Sequence, residues 1–234
     1  MTRTATSGNR LLDCVSADER DEIVRLCEHV SLAHGEEVYA QDSRLAHVYF
    51  PVSAVCSSVV HMETGQIVET ATIGNEGLVG AQAYLGMDES LYATHVQVAG
   101  DALRLRAAAL RSMARRCPEL DRVVRSYLMY ALRYANQTVA CNALHSVEER
   151  ACRWLLMTHD RVGSDAFPLT HEFFAEMLGI HRQTVSAVAS ELQRAGWIQY
   201  RRGSVRIMNR GALEGASCEC YAVTSNLFHH LVGC

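Results

Sequence analysis

The sequence predicts an α+β chain, with a β-rich N-terminal part, one long central helix and a small helical module closed by a hairpin. Three observations carry this. Short strand-like runs separated by glycines fill residues 29–106. A three- and four-residue rhythm then runs from Pro118 to about Leu144. Beyond it, two short helical patterns meet at Gly179 and lead into a hairpin pattern with the tip Arg201-Arg202-Gly203-Ser204.

Taken in order, Ala17 to Cys27 reads as a short helix, and His34-Gly35-Glu36 as the turn between strands at His29 to Leu32 and Glu37 to Tyr39. Further strands are expected at His47 to Phe50, Val55 to Met62, Ile67 to Thr72, His95 to Val98 and Ala102 to Arg106, with Gly65, Gly74, Gly77, Gly80 and Gly100 marking turns. Many short strands with glycine turns predict a small barrel or jelly roll over residues 11–117.

Pro118 suits the first turn of a helix, where its missing N–H costs nothing, and residues 118–144 form the long helix. Leu120, Val124, Tyr127, Ala131, Tyr134, Thr138 and Cys141 make a semi-apolar stripe along it. That stripe is assigned to a subunit interface; packing against the chain's own barrel is the alternative.

Residues 145–217 read as a winged helix-turn-helix. Thr170 can cap a first helix carrying Phe174, Ala175 and Leu178 on one face, and Gly179 permits the tight turn. A second helix from Arg182 turns Val185, Val188 and Leu192 inward. It leaves His181, Arg182, Gln183, Thr184, Ser186 and Ser190 on or beside the face that would enter a major groove, where Arg and Gln can each bond a base pair twice. The hairpin behind it offers Arg201, Arg202 and Arg206 to phosphates. One recognition helix reads few bases, so a two-fold homodimer on a palindromic double-stranded site is expected. Residues 218–234 read as a polar C-terminal tail.

Of the 234 residues, 49% are hydrophobic and 21% charged, enough for a substantial core in two domains. The formal net charge of −4 gives no general attraction to nucleic acid, so DNA affinity must come from a local basic surface around residues 182–206. No signal peptide and no membrane-spanning run is legible, which places the protein in the cytoplasm. The nine cysteines are odd in number and scattered, and reduced thiols are expected. A nucleophile elbow, a phosphate loop and a His-Glu-x-x-His motif are all missing, so no enzyme is expected; His171-Glu172 is explained by polar exposure on a helix.

Three segments resemble the CRP/FNR family of bacterial transcription regulators: His34-Gly35-Glu36-Glu37-Val38-Tyr39, then Ser146 to Leu156, then Gly179-Ile180-His181-Arg182-Gln183-Thr184-Val185-Ser186. The resemblance covers about Leu11 to Met208. It implies a cyclic-nucleotide-binding-like sensor barrel, a dimerisation helix and a winged helix-turn-helix, acting as an activator or repressor with RNA polymerase as a further partner. Gln183 stands where the family often has glutamate, which implies a changed base preference.

The resemblance also implies an effector pocket, and this sequence departs from it. Where cyclic-nucleotide binders carry Gly-Glu-Leu and Arg-Ser, this chain reads Gly80-Ala81-Gln82 and Leu91-Tyr92, with Ala135-Asn136 on the long helix. Both polar anchors are missing, which argues against cyclic AMP or cyclic GMP. Cys14, Cys27, Cys56 and Cys117 do not follow the spacing of an FNR iron-sulfur cluster, and Cys27, Cys56, Cys141 and Cys152 read as buried apolar thiols. Haem held by Cys56, His61 or His95 and a thiol switch or metal contact at Cys218, Cys220 and Cys234, in a tail expected to be exposed, remain open as redox or gas sensors. A protein-interaction module without DNA binding is the alternative of a different class.

Overall fold

Alternating side chains build two antiparallel sheets that close over one core. In the computed structural model, which describes residues 6–233, β1 (Glu28–Leu32), β7 (Gly100–Arg106) and β3 (His47–Pro51) pair in the order β1-β7-β3. The facing sheet pairs β2 (Glu37–Tyr39), β6 (Ala93–Val98), β4 (Val55–His61) and β5 (Ile67–Ile73) in the order β2-β6-β4-β5. Period-two burial is plain in β3, where Val48 and Phe50 are fully buried and face Leu105 and Leu103 of β7 across the ladder. This jelly-roll-like sandwich is the architecture the glycine-punctuated strands predict.

Helices α1 (Ala17–Leu26) and α2 (Ala107–Ala114) flank the sheets and lead to α3 (Pro118–Leu144). Pro118 occupies the first turn of α3, and the Glu19 carboxylate accepts from the backbone N–H groups of Glu119 and Leu120 at 3.3 and 2.9 Å. A negative group on otherwise unpaired donors at a helix N-terminus fixes where the helix begins.

Which face of α3 is covered corrects the sequence reading. Leu120, Val124, Tyr127, Tyr134 and Cys141, assigned to a subunit interface, are buried within the chain itself, and Ala131 and Thr138 are half-buried. The cover is the barrel on one side and α8 (Cys220–Val232) on the other, in the segment read as a polar tail. Phe228 of α8 meets the Tyr130 ring edge-on at 5.8 Å. A different set of α3 residues is exposed: Arg125, Met129, Leu132, Asn136, Val139 and Ala143, with Met129, Leu132 and Val139 at 58%, 56% and 69% exposure. Their 4-3-4-3-4 spacing is that of a coiled-coil seam.

α4 (Val147–Val162) opens with a reciprocal cap, Glu149 N–H donating to Ser146 Oγ at 3.3 Å and Ser146 N–H to Glu149 Oε2 at 2.8 Å. It then docks on the barrel through buried polar contacts. Trp154 Nε1 donates to Glu69 Oε2 at 2.8 Å, Gln97 Nε2 donates to Thr158 Oγ1 at 2.9 Å, and Arg161 pairs with Glu76 at 2.8 Å.

Burial raises the pKa of Glu69, its bonds from Ser57, Trp154 and Thr72 offsetting only part of the effect. A carboxyl whose pKa is raised on folding stabilises the fold at low pH, and this contribution is lost as pH rises through the raised value. Glu69→Gln is therefore expected to raise the urea midpoint at neutral pH, by about 1 kcal/mol of stability, and to leave it unchanged at acid pH. Equal midpoint shifts at both pH values would show that Glu69 does not titrate on unfolding.

Candidate nucleic-acid interface

Local sequence fixes the two helices of the C-terminal module. Thr170 accepts from the Phe173 N–H at 3.1 Å and starts α5 (His171–Leu178); Gly179 ends it in the left-handed conformation at φ 64°. The Arg150 guanidinium of α4 caps the other end by bonding the Leu178 carbonyl oxygen. α6 (Arg182–Arg194) follows, with Val185, Ala189 and Leu192 buried and Val188 half-buried. The Trp154 ring packs against that of Phe174 at 5.0 Å, tilted by 43°.

Behind α6, β8 (Ala166–Pro168), β10 (Ser204–Ile207) and β9 (Ile198–Arg201) form a three-stranded sheet in the order β8-β10-β9. Ser204 pairs with Arg201, so Arg202-Gly203 is a two-residue turn, with φ of 50° and 75°. Such turns need positive φ at both central positions, which glycine tolerates and arginine does not, at a cost of about 1 kcal/mol. The tip thus holds a cation in a strained backbone conformation.

The face formed by α6 and the hairpin is open. His181, Arg182, Gln183, Thr184 and Ser190 are exposed, as are Arg201, Arg202 and Arg206; Ser186 is half-buried. The last three arginines have no ion-pair partner among the described residues, whereas Arg182 lies 3.7 Å from Glu172. The hydroxyls of Ser186 and Ser190 donate back to the Arg182 and Ser186 carbonyls at 3.0 and 2.7 Å.

His171 is a positioning residue that the sequence reading passed over as merely exposed. Burial first, and then Arg182, push its pKa below the usual imidazole value. With the Ser186 hydroxyl hydrogen spent on Arg182, His171 Nδ1–H donates to Ser186 Oγ at 2.9 Å while its ring sits edge-on to Tyr200 of β9 at 4.7 Å. Tyr200 N–H in turn donates to Gln193 Oε1 at 2.7 Å. These contacts fix the hairpin against α6, so that both present their cations on one side. Next to them an open groove of about 600 Å³ separates the start of α6 from the hairpin between β4 and β5, lined by Gly65, Gln66, Ile67, Val68, Glu172 and Arg182 among others.

Residues 149–216 match the family model of the Crp-like helix-turn-helix domain. The chain carries a Crp-like helix-turn-helix domain in a CRP/FNR-type fold. Its fold is similar to that of FixK2 from Bradyrhizobium japonicum, with a TM-score of 0.71 at 18% identity, over 82% of this chain and 98% of the other. TTHB099, a CRP-family transcriptional regulator from Thermus thermophilus, gives 0.69 at 20% identity over 80% and 96%. TTHA1359, a CRP/FNR-family transcriptional regulator from the same organism, gives 0.64 at 20% identity over 81% and 98%. No curated protein matches the chain in sequence.

The positions that the resemblance assigns to an effector pocket are filled by the chain's own side chains. Ala81 and Gln82 are buried, and the Gln82 side chain bonds Tyr92 OH at 3.2 Å and Ser90 Oγ at 3.4 Å; Leu91 points outward, 55% exposed. Of the haem candidates, Cys56 stands apart from the two histidines. Ser57 faces His95 across the ladder, so its neighbour Cys56 lies on the opposite face of the sheet, fully buried with its thiol pushed up to about 12. His61 is exposed, its ring 6.1 Å from that of His95. Cys27, Cys56 and Cys117 belong to no converging set of ligands among the described residues.

Seven cysteines, Cys27, Cys56, Cys117, Cys141, Cys152, Cys218 and Cys220, are free thiols, whereas Cys14 is disulfide-bonded, so reduced thiols do not extend to that position. Cys218 and Cys220, expected in an exposed tail, are buried at 4% and 1% because the helix that follows them packs on α3. Cys234 lies outside the described residues. No helix among the described residues is long and apolar enough to cross a membrane.

Proposed function

We propose that the chain acts as a homodimer that binds a palindromic DNA site sequence-specifically and regulates transcription without a cyclic nucleotide. The observation that carries this reading is the single open face on which Arg182 and Gln183 of the second helix stand beside the exposed Arg201, Arg202 and Arg206 of the hairpin, which have no ion-pair partner among the described residues. On that face Arg182 and Gln183 read bases, His181, Thr184 and Ser186 assist, and the hairpin arginines grip phosphates. Ser190 is kept as a phosphate contact. The seam at Met129, Leu132, Asn136 and Val139 pairs the two copies. Independence from cyclic nucleotides is supported by Ala81 and Leu91, which offer neither the carboxylate for a ribose nor the guanidinium for a phosphate. Contact with RNA polymerase belongs to the same reading.

The test is capture of genomic duplex fragments by the purified protein, followed by titration of the enriched site at several salt concentrations, with and without cyclic AMP and cyclic GMP. A palindromic consensus, a steep salt dependence and no response to either nucleotide are expected. Arg182→Ala is expected to lose about 1–3 kcal/mol of discrimination at one base pair of each half-site. Arg202→Ala should weaken specific and random duplexes alike and make the salt slope shallower by about one for each contacted phosphate. Failure to bind any duplex at low salt would make the chain a protein-interaction module instead.

A further inference from the structure

The end of α3, the two-residue joint to α4, and the chain from α7 (Arg210–Ala216) into the first residue of α8 bring three thiols and an imidazole together. Cys141, His145, Cys218 and Cys220 each offer one ligand atom, and these atoms all lie within 4.8 Å of one another. Cys141 Sγ is 3.5 Å from Cys218 Sγ, and Cys220 Sγ is 3.7 Å from His145 Nδ1. We propose that these four residues form a mononuclear Cys3His zinc site that ties the C-terminal helix to the joint between α3 and α4.

The distances select the occupant. Around a tetrahedral zinc with bonds of about 2.3 Å to sulfur and about 2.0 Å to nitrogen, sulfurs lie roughly 3.8 Å apart and sulfur and nitrogen roughly 3.5 Å apart. The Cys141–Cys218 and Cys220–His145 separations are close to these two values, and the remaining ones stay within 4.8 Å. An iron-sulfur cluster must fit several irons and sulfides between its thiolates, and four ligand atoms packed this closely leave room for one ion. Haem takes at most two axial ligands from the protein and gives no reason to gather four. Hard divalent ions prefer oxygen, whereas three thiolates and an imidazole suit zinc.

The surroundings are those of a ligand set. The three cysteines are buried together in a small cluster of their own, apart from the two larger hydrophobic cores. With His145 Nδ1 turned to Cys220, its Nε2 lies 3.1 Å from the Glu219 carboxylate, the partner that orients a ligating imidazole and strengthens it as a donor to the metal. Gln137 Nε2 donates to Cys220 Sγ at 3.0 Å. Zinc displaces three thiol protons and leaves a net charge of about −1, with no oxidation or reduction. The buried guanidinium of Arg153 in α4 lies in electrostatic reach of all three sulfurs and balances that charge.

The site stands or falls independently of DNA binding; only an effect of zinc on operator affinity would rest on the function proposed above. The full chain is purified without a metal-binding tag and its metals are counted, then stripped with a chelator and titrated with Co²⁺ alone. About one zinc per chain is expected, and Co²⁺ should give the visible bands of a tetrahedral site with thiolate charge transfer. C218S/C220S should abolish both while keeping its far-ultraviolet dichroism. Should that variant not fold, the wild-type Co²⁺ spectrum decides alone. Substoichiometric zinc with no Co²⁺ bands, iron with sulfide, or a Cys141–Cys218 disulfide in freshly purified protein would each overturn the proposal, as would zinc retained by the folded double variant.

Discussion

The double substitution L132E/V139E is expected to turn a dimer into a folded monomer and to lower affinity for a palindromic operator by roughly 10²- to 10⁴-fold. Both positions are more than half exposed in the single chain, so neither glutamate disturbs a buried contact. Across a two-fold seam, however, each would face its own copy or a neighbouring turn of it, placing like charges where apolar side chains must meet. The affinity loss follows because the second half-site is then bound by an untethered copy rather than from an effective concentration set by the dimer. Sedimentation or light scattering gives the mass, and titration of a full and a half operator gives the affinities. A dimeric mass retained at micromolar concentration would remove this seam from the interface. The contrast with the buried stripe is equally sharp. Leu120→Ala is expected to cost about 2–5 kcal/mol of stability and to leave the folded fraction dimeric, because Leu120 is covered by its own chain.

This division of α3 into two faces marks where sequence reasoning stops. The ends of the helix were legible from Pro118 and from the length of the rhythm. Its two apolar stripes were both present in the sequence, but periodicity says only that a face is apolar, not which neighbour covers it. The decisive neighbour is α8, and Cys220 to Val232 was passed over because polar residues and paired histidines interrupt its apolar positions Leu227, Phe228 and Val232. The helix-turn-helix was legible because its signals are local: a threonine cap, a glycine in the left-handed region and an arginine-glycine tip each act within four residues. The cysteine cluster was illegible for the opposite reason. Cys141 lies in the last turn of α3 and His145 just beyond its end, four residues apart, and Cys218 and Cys220 flank one residue, yet the two pairs are joined only through the packing of α8. The one signal available was that Cys-x3-His and Cys-x-Cys occur in the same chain. The docking of α4 on the barrel was equally hidden, since nothing local in the sequence pairs Glu69, Glu76, Gln97, Trp154 and Arg161, which the fold brings together and covers.

That docking sets the second large effect. Arg161→Met is expected to destabilise the chain by about 3–5 kcal/mol, lowering the thermal midpoint by roughly 10 °C. The Arg161 side chain is only 10% exposed and that of Glu76 only 7%, so the pair is sealed from water. Nε and one terminal nitrogen of the guanidinium both reach Glu76 Oε1, at 2.9 and 2.8 Å, and the other terminal nitrogen donates to the Met157 carbonyl at 2.8 Å. Gly74 is part of the arrangement, since a β-carbon there would come within 2.8 Å of the Arg161 stem. Removing the cation leaves the Glu76 carboxylate buried without a counter-charge, and that, more than the lost bonds, sets the size of the effect. Replacing both partners should therefore be far milder than replacing Arg161 alone: R161M/E76Q is expected to recover at least half of the loss in urea unfolding. The coupling energy between the two positions should exceed about 1 kcal/mol in magnitude. Additive costs in that cycle would mean that water reaches the pair, and that α4 is held to the barrel by its apolar contacts alone.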